Sequence, residues 1–81
     1  MTRPSAKSGK NGDLAALGAA IRSRRKEIGM SQECLAATSG VERAHMGKTE
    51  RGENNLSILS LLRIATALGC LPSVILVDAG L

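Results

Sequence analysis

Eighty-one residues bound this chain to one domain, and a core of that size is marginal unless helices pack closely or a partner covers part of the surface. There is no Phe, Tyr or Trp, so the core must be built from Leu, Ile, Val, Met and Ala, which suits helix packing and points to an all-α fold. The net charge is +4, and residues 1 to 28 carry seven basic against two acidic side chains, so the positive field lies mostly there and anionic partners become plausible.

Cys34 and Cys70 have no CxxC or Cys-His spacing. That excludes a dense disulfide framework and leaves a reducing cytoplasm as the expected compartment. The amino terminus has no apolar signal core, and no uninterrupted apolar run is longer than that from Val74 to Val77. Neither export nor a membrane span is expected.

Residues 1 to 12 are rich in Lys, Ser, Gly and Asn without an apolar period, and they read as a disordered basic tail ahead of a domain over residues 13 to 81. Asp13 is placed to cap a first helix from Leu14 to Ile28, with Leu14, Leu17, Ile21 and Ile28 on one stripe and Gly29 as its stop. Ser31 caps a second helix from Gln32 to about Ser39, ended by Gly40. A third runs from Glu42 to Arg51 and closes at Gly52, leaving Gly40 and Val41 as the tight joint of a helix-turn-helix. Ser57 caps a fourth, Ile58 to Leu68, with Ile58, Leu61, Leu62, Ala65 and Leu68 as its apolar face and Leu59 outside it. A last short helix starts at Pro72 or Ser73 and is apolar all round, so self-association is expected to hide the surplus.

The third helix carries the most informative pattern. At about 100° per residue, Arg43, Ala44, Gly47, Lys48 and Arg51 share an arc of roughly 140°, while Glu42, Met46 and Thr49 point the other way. One side is then cationic and slender, as major-groove entry requires: long donors that reach guanine or phosphate, with small residues between them. Gly47 costs about 1 kcal/mol of helix stability relative to Ala, a cost better explained by close approach of a ligand than by packing. An ordinary solvated surface is the competing reading of the same face.

On these residues the chain resembles the Cro/Xre phage-repressor-like helix-turn-helix proteins. The resemblance runs from about Leu17 to Leu76, through LG..IR..R, SQ..LA, ERG and LSILSLLRIATALG. VER before the third helix and ERGENN with Ser57 after it are especially similar to the controller proteins of restriction-modification systems. The resemblance implies a five-helix lambda-repressor-like domain in which the third helix is the recognition helix. It places Arg43, Ala44 and Lys48 at base-facing positions and Gln32 at a phosphate-facing helix start, with Arg51, Asn54 and Asn55 touching or bordering the DNA backbone. It also implies an ion pair between Arg25 and Glu50, structural rather than catalytic. Four positions depart from the family pattern: Glu42 replaces a small hydroxyl N-cap, Thr49 a larger aliphatic, Leu56 a proline and His45 an aromatic.

His45 is the sole histidine, which leaves a metal cluster or a relay with Cys34 short of ligands, so a groove-edge hydrogen bond is expected of it. Cys70 reads as a small core hydrophobe, and Cys34 as partly exposed. No phosphate loop, carboxylate pair or nucleophile constellation stands in the sequence, so neither enzyme activity nor a cofactor is expected. The expected function is a cytoplasmic homodimeric transcriptional regulator on a near-palindromic operator, with Leu59, Ile75, Leu76 and Leu81 in the dimer contact. Two alternatives remain: an antitoxin-like protein-interaction module with weak DNA binding and its own protein partner, and a redox switch acting through Cys34.

Overall fold

The computed structural model describes residues 10 to 81, with side chains from residue 12 onward. Five helices and no strands stand among the described residues: α1 (Lys10–Glu27), α2 (Gln32–Ser39), α3 (Arg43–Arg51), α4 (Ile58–Leu68) and α5 (Pro72–Asp78). Most of the expected tail, residues 1 to 9, lies outside the described residues. Its last three residues do not: Lys10, Asn11 and Gly12 form the first turn of α1. Asp13 is therefore a residue of that turn rather than its cap, where a carboxylate still favours the positive helix end.

The other boundaries follow local chemistry. Ser31 and Ser57 each accept a hydrogen bond at 3.0 Å from the backbone N–H three residues on, Cys34 and Ser60, which satisfies a donor that the helix start would otherwise orphan. Gly40, Gly52 and Gly69 close α2, α3 and α4 in the left-handed region, which residues with a Cβ avoid. Glu42 is the N-cap of α3, and its side chain makes no capping hydrogen bond.

Ile21, Leu35, Met46, Ile64 and Ile75 are fully buried, so α1 through α5 each contribute one large side chain to a common core. Ala20, Ala36, Leu61, Ala65 and Leu68 complete it, and Leu17, Val41, Leu56, Cys70 and Leu76 pack against it. Two expected stripes turn slightly. On α4 the buried set is Leu61, Ile64, Ala65 and Leu68, while Ile58 and Leu62 face solvent and Leu59 is exposed as expected. Ile28 lies beyond the end of α1 and is exposed, and Ala20 and Arg25 are buried further up that helix instead.

Two glycines set the distance between α1 and α3. A Cβ on Gly18 would stand 2.3 Å from the carbonyl oxygen of Thr49 and 2.6 Å from that of Glu50. One on Gly52 would stand 2.5 Å from the Cα of Ala15. Backbone meets backbone there, and any side chain would wedge the helices apart. At the far end of α1, Arg24 Nε donates to Asp78 Oδ2 at 2.8 Å and ties α5 to the same helix. No single helix among the described residues is long and apolar enough to cross a membrane.

Candidate nucleic-acid interface

The position of α3 is fixed from beneath. Met46, Thr49 and Glu50 are buried on its inner side, and Arg25 reaches across from α1 to meet Glu50. Arg25 Nε donates to Glu50 Oε2 at 2.7 Å and Nη2 to Oε1 at 2.9 Å, while Nη1 donates to the carbonyl oxygen of Met30 at 2.9 Å. Gln32 Nε2 adds a fourth bond, to Glu50 Oε1 at 3.0 Å. The Glu50 side chain is 2% exposed, yet both its oxygens are engaged, so the desolvated charge is compensated in a bidentate geometry. The hydrogen bonds to Glu50 hold the Arg25 guanidinium still more firmly in its charged form. This network joins α1, the start of α2 and the end of α3 into one unit.

The outer side of α3 is open. Arg43, Ala44, His45, Lys48 and Arg51 are exposed along it. Gly47 is buried, and the atoms above it are side-chain tips: a Cβ there would lie 3.3 Å from Arg51 Nη1, 3.6 Å from Arg43 Nη1 and 3.6 Å from Gln32 Oε1. Two guanidinium groups and an amide thus converge over a floor with no side chain. Beside them, a cleft of about 330 Å³ between α1, α2 and α3 is lined by Arg22, Arg25, Gln32, Glu50 and Arg51.

The loop after α3 supplies the flank. Asn54 takes a hydrogen bond from Thr49 Oγ1 on its Oδ1 at 3.3 Å. Its Nδ2 stands 3.2 Å and 3.3 Å from the two ring nitrogens of His45, so His45 and Asn54 are one polar pair. Thr49, the departure from a larger aliphatic, is accommodated by that bond. Asn55 is exposed next to it. Glu53 pairs with Arg51, which sequence reasoning missed: Nε donates to Oε2 at 2.9 Å and Nη2 to Oε1 at 3.1 Å. The Arg51 hydrogen bond, and after it the Arg51 and Lys48 charges, hold the Glu53 carboxyl below the usual range.

The residues expected at a dimer contact divide. Leu59 and Leu81 are exposed, and Leu76 is half-buried. Ile75 has 0% exposure; it is the α5 contribution to the core of its own chain and has no surface to offer a partner. Exposed apolar side chains stand instead at Ile58, Leu62, Leu71 and Val77. Cys34 is exposed with its sulfur 3.9 Å from Thr38 Oγ1, and Cys70 is half-buried and free.

The comparisons with known proteins agree on this architecture. Residues 21–75 match the HTH_3 helix-turn-helix family model. Control protein C.SmaI from Serratia marcescens is 42% identical over 48 residues, which are 59% of this chain and 57% of that protein. The chain thus spans little more than half the length of that curated relative. The crystal structure of the restriction-modification controller protein C.AhdI from Aeromonas hydrophila superposes with a TM-score of 0.76 at 41% identity, covering 78% of this chain and 96% of that one. The controller protein C.Esp1396I, solved as a tetramer in complex with its natural 35 base-pair operator, gives a TM-score of 0.76 at 33% identity, covering 83% of this chain and 88% of that one. The five-helix arrangement is the lambda-repressor-like fold that the sequence resemblance implied. With more than half its length matched by the family model, the chain belongs to the HTH_3 helix-turn-helix family.

Proposed function

We propose that this chain is a sequence-specific DNA-binding transcriptional regulator that docks α3 in the major groove, as a homodimer on a near-palindromic operator. The observation that carries the reading is the contrast on α3: an exposed row of Arg43, Ala44, Lys48 and Arg51 over a glycine floor, on a helix anchored beneath by the Arg25–Glu50 pair. A cationic row with small residues between the long ones enters the groove, and the anchored underside keeps its register.

In this reading Arg43, Ala44 and Lys48 face base edges, with His45 at the groove edge and Gly47 admitting close approach. Gln32 meets a phosphate at the start of α2, and Arg51, Asn54 and Asn55 follow the DNA backbone. The second copy covers the exposed apolar side chains of α4, of α5 and of the residues after α5, Leu59 and Leu81 among them. The likeness to controller proteins, one of them solved on its operator, supports a place among regulators of that class. No catalytic role is assigned, and the cytoplasm is the compartment that suits two free cysteines and a DNA target.

The test is selection from a random duplex library, followed by titration of the enriched duplex at several salt concentrations. Labelled DNA supplies the signal, since the protein has no Trp or Tyr. A palindromic motif with a steep salt dependence supports the reading. Failure to enrich any motif, with weak retention only, removes it.

A further inference from the structure

The side chain of Arg51 stands in the proposed DNA interface, yet one of its two bidentate hydrogen-bonding edges is already occupied. A guanidinium can bind two oxygens of a carboxylate or a phosphate in parallel through the end edge of its two terminal nitrogens or through the side edge of Nε with one of them. In this protein that edge holds both oxygens of Glu53, at 2.9 and 3.1 Å. Of the end edge, Nη1 leans over Gly47. The pair is open to solvent, with side chains 59% and 52% exposed, so an incoming phosphate can reach it.

The placement of Glu53 is set by the backbone. Gly52 turns left-handed at φ 72 and packs against the Ala15 backbone. The Glu53 N–H then donates to the carbonyl oxygen of Lys48 at 2.9 Å, as the residue after a helix-closing glycine does. An acid immediately after the negative end of α3 gains nothing from the helix dipole, which favours cations there. Its electrostatic partners are the α3 cations Arg51 and Lys48, which between them lower its pKa.

We propose that Glu53 is an internal competitor of the DNA backbone: its carboxylate occupies the side edge of Arg51, and must leave before a phosphate binds there. The inference rests on the DNA-binding reading above. Its consequence is a lower occupancy of non-specific DNA at a given protein concentration: a backbone contact carries no sequence information, so blunting it lowers affinity for every duplex alike and leaves the ratio between operator and random duplex unchanged.

The experiment is a double-mutant cycle of Glu53→Gln and Arg51→Gln, with affinities for the selected operator and for a random duplex measured across a salt series. Glu53→Gln is expected to tighten binding to both duplexes by up to about fivefold, the range of an exposed ion pair, and to steepen the salt dependence by up to about one counterion. In the Arg51→Gln background the gain should largely vanish. An equal gain with and without Arg51 would overturn the proposal, because it would show only the general loss of a negative charge. Unchanged affinity in Glu53→Gln, with the wild type binding normally, would overturn it too. If neither the wild type nor Glu53→Gln binds any duplex at low salt, the DNA-binding reading itself fails and the competitor with it.

Discussion

The two sides of α3 obey different physics although they are one residue apart in sequence. Met46, Thr49 and Glu50 are 0%, 3% and 7% exposed, and every buried side-chain oxygen among them has a hydrogen-bond partner in the described residues. Lys48 and Arg51, beside them, are open to solvent. The inner side is over-determined, held by the Gly18 contact, the Met46 packing and the four bonds around Arg25 and Glu50. The outer side is determined by little except where the helix sits. Rigidity on one face is what lets long, mobile side chains on the other be aimed, since their common origin does not move.

That contrast predicts that inner-side changes unfold the protein and outer-side changes alter binding alone. The largest effect is expected from Arg25→Ala, which leaves the Glu50 carboxylate buried with only Gln32 as a side-chain partner. A loss of about 3 to 5 kcal/mol follows from such a broken pair, read by urea unfolding followed by circular dichroism. Gly18→Ala comes next. Its methyl group meets the carbonyl oxygens of Thr49 and Glu50, and displacing α3 should cost about 1 to 3 kcal/mol of stability, with reduced DNA affinity as a second readout.

Arg43→Ala reverses the pattern. Unfolding should be unchanged within about 0.5 kcal/mol, while binding to the operator weakens by about 1 to 3 kcal/mol and discrimination relaxes at one base position. A uniform loss on all duplexes would move Arg43 to the phosphates. Gly47→Ala sharpens the comparison most finely. The new methyl group meets only the tips of Arg43, Arg51 and Gln32, so folding should be unharmed or gain up to about 1 kcal/mol of helix propensity. Operator affinity should nevertheless fall, because the floor under the two guanidinium groups rises.

The same two glycines show how far the sequence could be read. A glycine inside a helix signals close approach without saying to what: at Gly18 backbone meets backbone, and at Gly47 only side-chain tips lie above it. Helices α2 and α4 were legible to the residue, because their serine caps and closing glycines are local chemistry. The start of α1 was not. Asn11 and Gly12 are poor helix formers, and the apolar period begins only at Leu14, yet the helix extends back to Lys10.

On α4 the surplus of apolar residues left two registers open, and packing chose the one with Ile64 inside and Ile58 outside. Ile75 failed as a surface residue for a related reason: in a short helix apolar all round, composition cannot say which side chain points home. Ion pairs between residues distant in sequence, such as Arg24 with Asp78, leave no local trace. The Arg25–Glu50 pair was reached through the family resemblance alone.

The proposed binding mode requires α3 to lie in the major groove and two copies to do so together. Methylation interference at guanine N7, an atom that only the major groove exposes, tests it most directly on the selected duplex. Two symmetric clusters of interfering guanines are expected, centred about one helical turn apart, with one guanine in each cluster losing its effect in Arg43→Ala. A bound duplex with no N7 interference, or with a single unpaired cluster, would contradict it.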